Sequence, residues 1–373
     1  MPVKHALLSA SSASRWLHCP PSARLGENYE DKPSEYAAEG TEAHALGEYK
    51  ILKALKRRAV NPAKELKYFS EEMDECTDGY KDMVLELVMS AGATCDDPQV
   101  LIEQRVDFSR WVQEGFGTAD ALIVTDGNLT ICDYKHGKGV AVSAQDNAQL
   151  RCYALGALAM FDGIYDIDTV TMIIYQPRRE NFSTEDMKKA DLYKWAEDEL
   201  KPKAELAYKG EGEFACGQWC RFCKARYNCR ARAEANLMLA RHEFQLPPTL
   251  SDSEVAAVLD KIDELTAWAS DVKEYATKMT LSGKQLPGWK LVEGRSNRKI
   301  SNEAAVAEAV SNEGKDPYEK KLLGITALEK LLGKAKFNEI IGQYVVKPQG
   351  KPTLVPESDK REPIGSDFEG ETS

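Results

Sequence analysis

Three sets of side chains in this sequence are spaced for chemistry. Asp120 is followed by Asp133-Tyr134-Lys135, so two carboxylates and an ammonium come within a short stretch. Two convergent carboxylates make a hard oxygen site suited to Mg²⁺ or Mn²⁺. A lysine beside them can orient an attacking water or stabilise charge growing on a phosphate. His44 and Glu48 lie one helical turn apart and share a face, as do Gln149 and Tyr153. An imidazole beside carboxylates is a common Mn²⁺-tolerant ligand. The third set is sulfur: Cys19 in Trp16-Leu17-His18-Cys19-Pro20-Pro21, and Cys220-x-x-Cys223-x5-Cys229 some two hundred residues later. Thiolates this close hold a soft metal, and four of them suit either a [4Fe–4S] cluster or Zn²⁺. Cys216 could substitute in the set. Taken singly, an Asp-x-Lys is usually a solvated pair and a helical His usually structural. The fixed order of all these residues is what points to a site.

The elements that must position them follow from hydrophobic periodicity. The stretch from Ser9 to Cys19 reads as a short helix. A second helix opens at Gly40-Thr41 and runs toward Arg58, and a third spans Ser70 to Ala93, with Met83, Val84, Leu87 and Val88 at helical spacing. Val100 to Val106 reads as a strand. Ala121–Val124, Asp126-Gly127-Asn128 and Leu129–Asp133 read as a hairpin closed by a tight primed turn. This hairpin brings Asp120 and Asp133 to neighbouring strands, with Asp133 and Lys135 on one face. A helix from Gln145 to Met160, a strand at Val170–Tyr175 ended by Pro177, and a helix from Met187 to Tyr208 complete a mixed sheet flanked by helices. Leu246-Pro247-Pro248 reads as a linker, Ser251-Asp252-Ser253-Glu254 as the cap of a long helix reaching about Leu281, and the segment from Lys347 as a polar, disordered tail. The predicted organisation is a core over 1–245, a helical region over 246–346 and a tail over 347–373.

The composition is that of a globular chain: 373 residues, 43% hydrophobic and 29% charged. No apolar run is long enough to span a bilayer, and the N-terminus has no signal-peptide core, so a cytoplasmic protein without a membrane partner is expected. In a reducing compartment nine cysteines predict metal ligation rather than disulfides. Cys132 and Cys152 read as core residues. A net charge of −11 argues against a nonspecific nucleic-acid coat but leaves room for a local basic groove. Arg221, Lys224, Arg226, Arg230 and Arg232 gather around the cysteines. His136-Gly137-Lys138-Gly139 follows the Asp-x-Lys, where backbone amides could approach a phosphate. Lys290, Arg295, Arg298 and Lys299 form a second basic strip beside Trp289, which is either a base-stacking platform or a core residue.

The order Gly40-Thr41-x-x-His44-x-x-x-Glu48, Gly117-x-x-Asp120, Asp133-x-Lys135 and Gln149-x-x-x-Tyr153 resembles the RecB-like branch of the PD-(D/E)XK nuclease superfamily. The four cysteines extend the resemblance to its iron–sulfur members, such as the AddB nuclease domain and CRISPR-adaptation nucleases. The whole chain is similar to an uncharacterised family of phage and prophage proteins encoded among replication genes, through Ser14-Arg15-Trp16, Pro287-Gly288-Trp289-Lys290 and Gly294-Arg295-Ser296. The resemblance implies a restriction-endonuclease-like core and a Mg²⁺- or Mn²⁺-dependent deoxyribonuclease, in the first instance an exonuclease of DNA replication or recombination. It implies that His44, Asp120 and Asp133 bind the ion, with the Tyr134 carbonyl as a further ligand and Glu48 supporting His44. Lys135 would be the catalytic lysine, Gln149 and Tyr153 would position DNA, and Cys19, Cys220, Cys223 and Cys229 would hold a [4Fe–4S] cluster, with Zn²⁺ as the alternative. Asp133 stands where many relatives carry Glu. DNA contacts are expected at Lys138, Arg221, Lys224, Arg295 and Arg298, and a single-strand-binding, annealing or other replication protein is the expected partner. The competing reading is a noncatalytic DNA-binding or scaffold protein of a phage replication complex, stabilised by its metal cluster.

Overall fold

The computed structural model describes residues 6–29, 35–240, 252–292, 301–312, 315–318 and 322–346. Contacts divide the chain into two units, residues 1–291 and 292–373.

The first unit is a mixed α/β fold. It opens with a 3-10 turn and two short helices, α1 (Ala13–His18) and α2 (Ser22–Leu25), followed by α3 (Glu35–Ala54) and α4 (Glu71–Thr94). Trp16 on α1 is fully buried, which anchors the N-terminal segment by about 2–3 kcal/mol of apolar burial. Ser70 caps α4 by accepting from the Met73 N–H at 3.1 Å. The sheet follows: β1 (Gln99–Asp107), β2 (Phe116–Val124), β3 (Gly127–Tyr134), then α5 (Ala148–Phe161), β4 (Ile167–Gln176) and β5 (Asn181–Lys188). The five strands lie in sequence order; β3 and β4 are parallel and the other pairs antiparallel. A parallel pair needs a crossover, which α5 supplies.

Alternation along the central strands covers both sheet faces. Leu122, Leu129, Ile131, Met172 and Ile174 pack with the α5 residues Leu150, Ala154 and Leu158. Ala121, Cys132, Tyr134 and Ile173 pack with Leu46 and Ile51 of α3 and Met73, Tyr80 and Val84 of α4. Cys132 and Cys152 are fully buried, as core residues. Helices α6 (Lys189–Trp195), α7 (Lys201–Lys209), α8 (Arg230–Ala240) and α9 (Asp252–Leu281) complete this unit. The second unit contains α10 (Glu303–Asn312), α11 (Ile325–Leu332) and α12 (Lys334–Ile340).

Four sequence expectations change. The hairpin turn is not a primed type I′ turn: Gly127 has φ +86°, but Asp126 has no positive φ, and I′ needs both. The helix expected from Met187 begins at Lys189, because Asn181–Lys188 is a fifth strand on β4. That segment is helical through to Lys209, but a π-helical stretch, Ala196–Leu200, lies between α6 and α7 just before Pro202. Finally, the long helix after the expected linker belongs to the first contact unit, while the linker itself, at 246–248, lies outside the described residues. Arg232 on α8 pairs with Glu264 (2.6 Å) and Asp271 (2.5 Å) on α9, which ties the long helix to the core.

Candidate functional site

The acidic centre forms where β1, β2 and β3 pass the helix α3. Ala121 pairs with Cys132, which sets Asp120 and Asp133 on adjoining strands. Asp120 Oδ2 accepts the Tyr134 main-chain N–H at 2.6 Å, and its Oδ1 lies 3.4 Å from His44 Nδ1. His44 Nδ1 is also 3.7 Å from Glu103 Oε1 on β1, and the ligand atoms of His44, Glu103 and Asp120 all lie within 4.8 Å of one another. Glu103 holds φ +49° in the middle of a strand, outside the ladder that pairs Ile102 with Ala121 and Gln104 with Ala119. Left-handed backbone at a non-glycine residue costs on the order of 1–3 kcal/mol and collects at functional sites. Sequence reading missed Glu103; the strand pattern held no signal for it. Glu48, expected to support His44, stands near Glu103, and His44 Nδ1 faces Glu103 and Asp120.

The second half of the centre is built on α5. Asn147 caps that helix, its Oδ1 accepting the N–H groups of Gln149 (3.0 Å) and Leu150 (3.2 Å). This fixes Gln149 in the first turn. Its Nε2 donates to Asp133 Oδ1 (2.9 Å) and to the Tyr153 hydroxyl (3.0 Å), while its Oε1 accepts from Lys135 Nζ at 3.1 Å. Lys135 Nζ is 2.6 Å from Asp133 Oδ2. The structure therefore gathers His44, Asp120, Asp133, Lys135, Gln149 and Tyr153 and adds Glu103.

The electrostatics describe a site with surplus negative charge. Burial would lower the His44 pKa, but Asp120 and Glu103 overcome it and push it up to about 10. Burial raises the Asp133 carboxyl, Lys135 opposes that, and Asp120 adds to it. Burial lowers Lys135, but Asp133 and Asp120 outweigh it and keep the ammonium charged. Asp133 Oδ2 is buried and, beyond the nearby ammonium, has no well-oriented hydrogen bond. Two carboxylates, Glu103 and Asp120, beside one imidazole fit a hard divalent cation, which would take the place of the proton on His44, while Asp133 lies outside that donor group and binds Lys135 and Gln149.

The basic residues are less uniform. Lys138 is paired with Glu72 at 2.8 Å, and Arg179 holds the carbonyls of Lys138 (3.0 Å) and Gly139 (2.7 Å). The loop's carbonyls are thus engaged within the chain. Arg221 and Lys224 are exposed, whereas Arg226 and Arg232 bind Asp271 and serve the packing of α9. Trp289 is 79% exposed, so it is not a core residue. Arg295 and Arg298 lie outside the described residues.

Around the cysteines, His18 stacks on Trp219 with ring centroids 4.1 Å apart, joining α1 to the late segment. One cavity is lined by Cys19, Cys216, Cys220, Cys223 and Cys229, together with Arg15, Arg226 and Arg232. The half-buried Arg15 donates to Ser22 O (2.8 Å) and Oγ (2.9 Å) and has no carboxylate partner among the described residues. Burial lowers its pKa, and only Cys223 and Cys19 counter it. A guanidinium beside two sulfurs, with no carboxylate partner among the described residues, fits a centre where those sulfurs are metal-bound thiolates.

The family model described as Protein of unknown function (DUF2800) matches residues 5–362, and the chain belongs to that family. The solved structure titled "Crystal structure of SSO0001" aligns at 15% identity over 52% of this chain and 98% of that chain, with a TM-score of 0.24. A likeness at that score carries nothing about the fold. No helix among the described residues is long and apolar enough to cross a membrane.

Proposed function

We propose that this chain is a metal-dependent deoxyribonuclease of the RecB-like PD-(D/E)XK type, an exonuclease acting in phage DNA replication or recombination. The observation that carries this reading is the single hydrogen-bonded unit Asp133–Lys135–Gln149–Tyr153 beside the His44–Glu103–Asp120 donor group. His44, Asp120 and Asp133, with Glu103 as an added donor, would hold Mg²⁺ or Mn²⁺. The ion supplies Lewis-acid polarisation of the phosphate and acidifies the attacking water. Lys135 stays charged and is held by Asp133 and Gln149, so its ammonium is placed to stabilise charge developing on the scissile phosphate. Gln149 fixes both partners at once, and the Tyr153 hydroxyl accepts from the same Nε2 that donates to Asp133. Arg221 and Lys224, exposed beside the cysteine cavity, are the candidate backbone contacts. The cysteine cavity acts as a clasp, with a [4Fe–4S] cluster on Cys19, Cys220, Cys223 and Cys229.

The test is cleavage of end-labelled linear and closed circular DNA with Mg²⁺ or Mn²⁺. The wild type should degrade the linear form. Asp133→Ala or Lys135→Ala should lower the rate by about 10²–10³-fold or more while leaving DNA binding intact. Either variant cutting at the wild-type rate would overturn the assignment.

A further inference from the structure

We propose that Cys216, Cys220 and Glu264 form a second, mononuclear site for a divalent ion of the zinc class, sharing Cys220 with the four-cysteine set. The ligand atoms of these three residues all lie within 4.8 Å of one another, a group that Cys19, Cys223 and Cys229 do not join. Tetrahedral zinc, with bonds of about 2.0–2.3 Å, spaces its donors roughly 3.5–3.8 Å apart, so closure takes shifts of about 1 Å. Cys220 Sγ accepts the Gly217 N–H at 3.4 Å, which fixes one of the two sulfurs. Glu264 is held in place by Arg232, whose Nε donates to its Oε1 at 2.6 Å, and a carboxylate has lone pairs to spare for an ion. Arg232 cannot drift, because its side chain is 1% exposed and also bonds Asp271 Oδ2 (2.5 Å) and the Arg226 carbonyl (3.1 Å). Such a hydrogen-bonded support orients a metal-binding carboxylate and offsets the charge of the ligand set. Two thiolates, one carboxylate and a water complete four-coordination.

Because Cys220 belongs to both sets, the two cannot be filled together. A cluster on the four cysteines clasps the N-terminal segment through Cys19. An ion on Cys216, Cys220 and Glu264 clasps α9, which has no fully buried residue of its own. The metal loaded thus selects which element is tied down. The zinc site does not rest on the nuclease reading; only its competition with the cluster does.

The test uses the full-length protein, stripped of metal under anaerobic reducing conditions. Zn²⁺ is titrated against a chromophoric chelator, and Co²⁺ substitution reports thiolate ligation by charge-transfer absorption. One equivalent should bind; Cys216→Ser and Glu264→Gln should each weaken Zn²⁺ at least tenfold, and Cys19→Ser should leave it unchanged. Iron–sulfur reconstitution should show the reverse, lost in Cys19→Ser and kept in the other two. Glu264→Gln can keep its bond from Arg232, so it decides the matter even if Cys216→Ser misfolds. No bound zinc in the wild type, unchanged affinity in Glu264→Gln, or equal loss in Cys19→Ser overturns the site. Failure of iron reconstitution in every form would remove the cluster and leave the zinc result standing.

Discussion

Gly117, three residues before Asp120 on β2, shows why the site needs a residue without a side chain, and substituting it tests how the site is braced. Its φ lies outside the left-handed region, so the backbone does not demand glycine. The demand comes from α5: a Cβ at 117 would sit 2.6 Å from Tyr153 Cε1 and 3.4 Å from Cδ1. Carbon atoms pack at about 3.5–4.0 Å, so Gly117→Ala must displace the ring by about 1 Å. Tyr153 is 6% exposed and cannot swing into solvent. Overpacking of this kind costs about 1–3 kcal/mol, which in a unit this size lowers the melting temperature by about 2–12 °C. The displaced hydroxyl also leaves Gln149, which holds Asp133 and Lys135. Losing that brace should cut cleavage about 10- to 100-fold, equivalent to about 1.4–2.7 kcal/mol. The assay is a double-mutant cycle read by melting and by DNA cleavage. Tyr153→Leu removes the ring, so Gly117→Ala should cost at least about 1 kcal/mol less in that background. Tyr153→Phe keeps the ring, so there the stability cost should match the wild type. Additive effects with Tyr153→Leu, or an unchanged melting temperature in Gly117→Ala itself, would refute the steric account.

Two further outcomes follow from the charges. His44, pushed up to about 10 in the metal-free protein from a usual value near 6.5, stabilises the fold fully below about pH 6.5 and progressively less as pH rises through about 10. A metal ion must displace that proton, so calorimetric Mn²⁺ affinity should rise by up to about tenfold per pH unit between roughly pH 7 and 9. A pH-independent affinity would show that His44 is not a ligand. Cutting the chain after residue 245 removes Glu264 and Asp271 and strands the buried Arg232, at a cost of up to about 3–5 kcal/mol, reduced by the partial exposure of both carboxylates. A chain cut after residue 291 should melt well above it, and equal melting temperatures would refute the role of these pairs.

What the sequence made legible follows from which signals are local. Apolar period marked β1 to β4 and α4, and Ser70 marked the start of α4. Strand β5 escaped because Asn181-Phe182-Ser183-Thr184-Glu185-Asp186-Met187-Lys188 lacks an apolar face. It is an edge strand held by the ladder to β4, and polar residues suit an edge. Glu103 escaped because its role depends on register and on a left-handed backbone, neither of which alters composition. Pro247-Pro248 reads as a linker, which makes helix α9 look detached. The ion pairs that hold it join residues 32 and 39 positions apart, and such pairing leaves no periodic trace.

The topology accounts for the placement of the catalytic candidates. Because β3 and β4 run parallel, the chain leaving β3 must cross over by a helix before it can re-enter the sheet. The Lys135 N–H donates to the Tyr175 carbonyl at 2.9 Å, which extends the β3–β4 pairing one residue past the strand and keeps Lys135 beside Asp133. The Asn147 cap then starts α5 so that Gln149, in its first turn, reaches both residues. Tyr153 follows one helical turn later on the same face, and Gly117 on β2 provides the space for its ring. The spacing from Asp133 to Tyr153 is therefore set by the length of a crossover, and β2 must present a glycine where the crossover helix passes. A strand–helix–strand unit built this way brings a carboxylate, an ammonium and an amide together with little further specification. What it cannot supply is the opposite wall of the centre, His44 and Glu103. That wall comes from α3 and from a break in the regular backbone of β1, and β2, also outside the unit, adds Asp120.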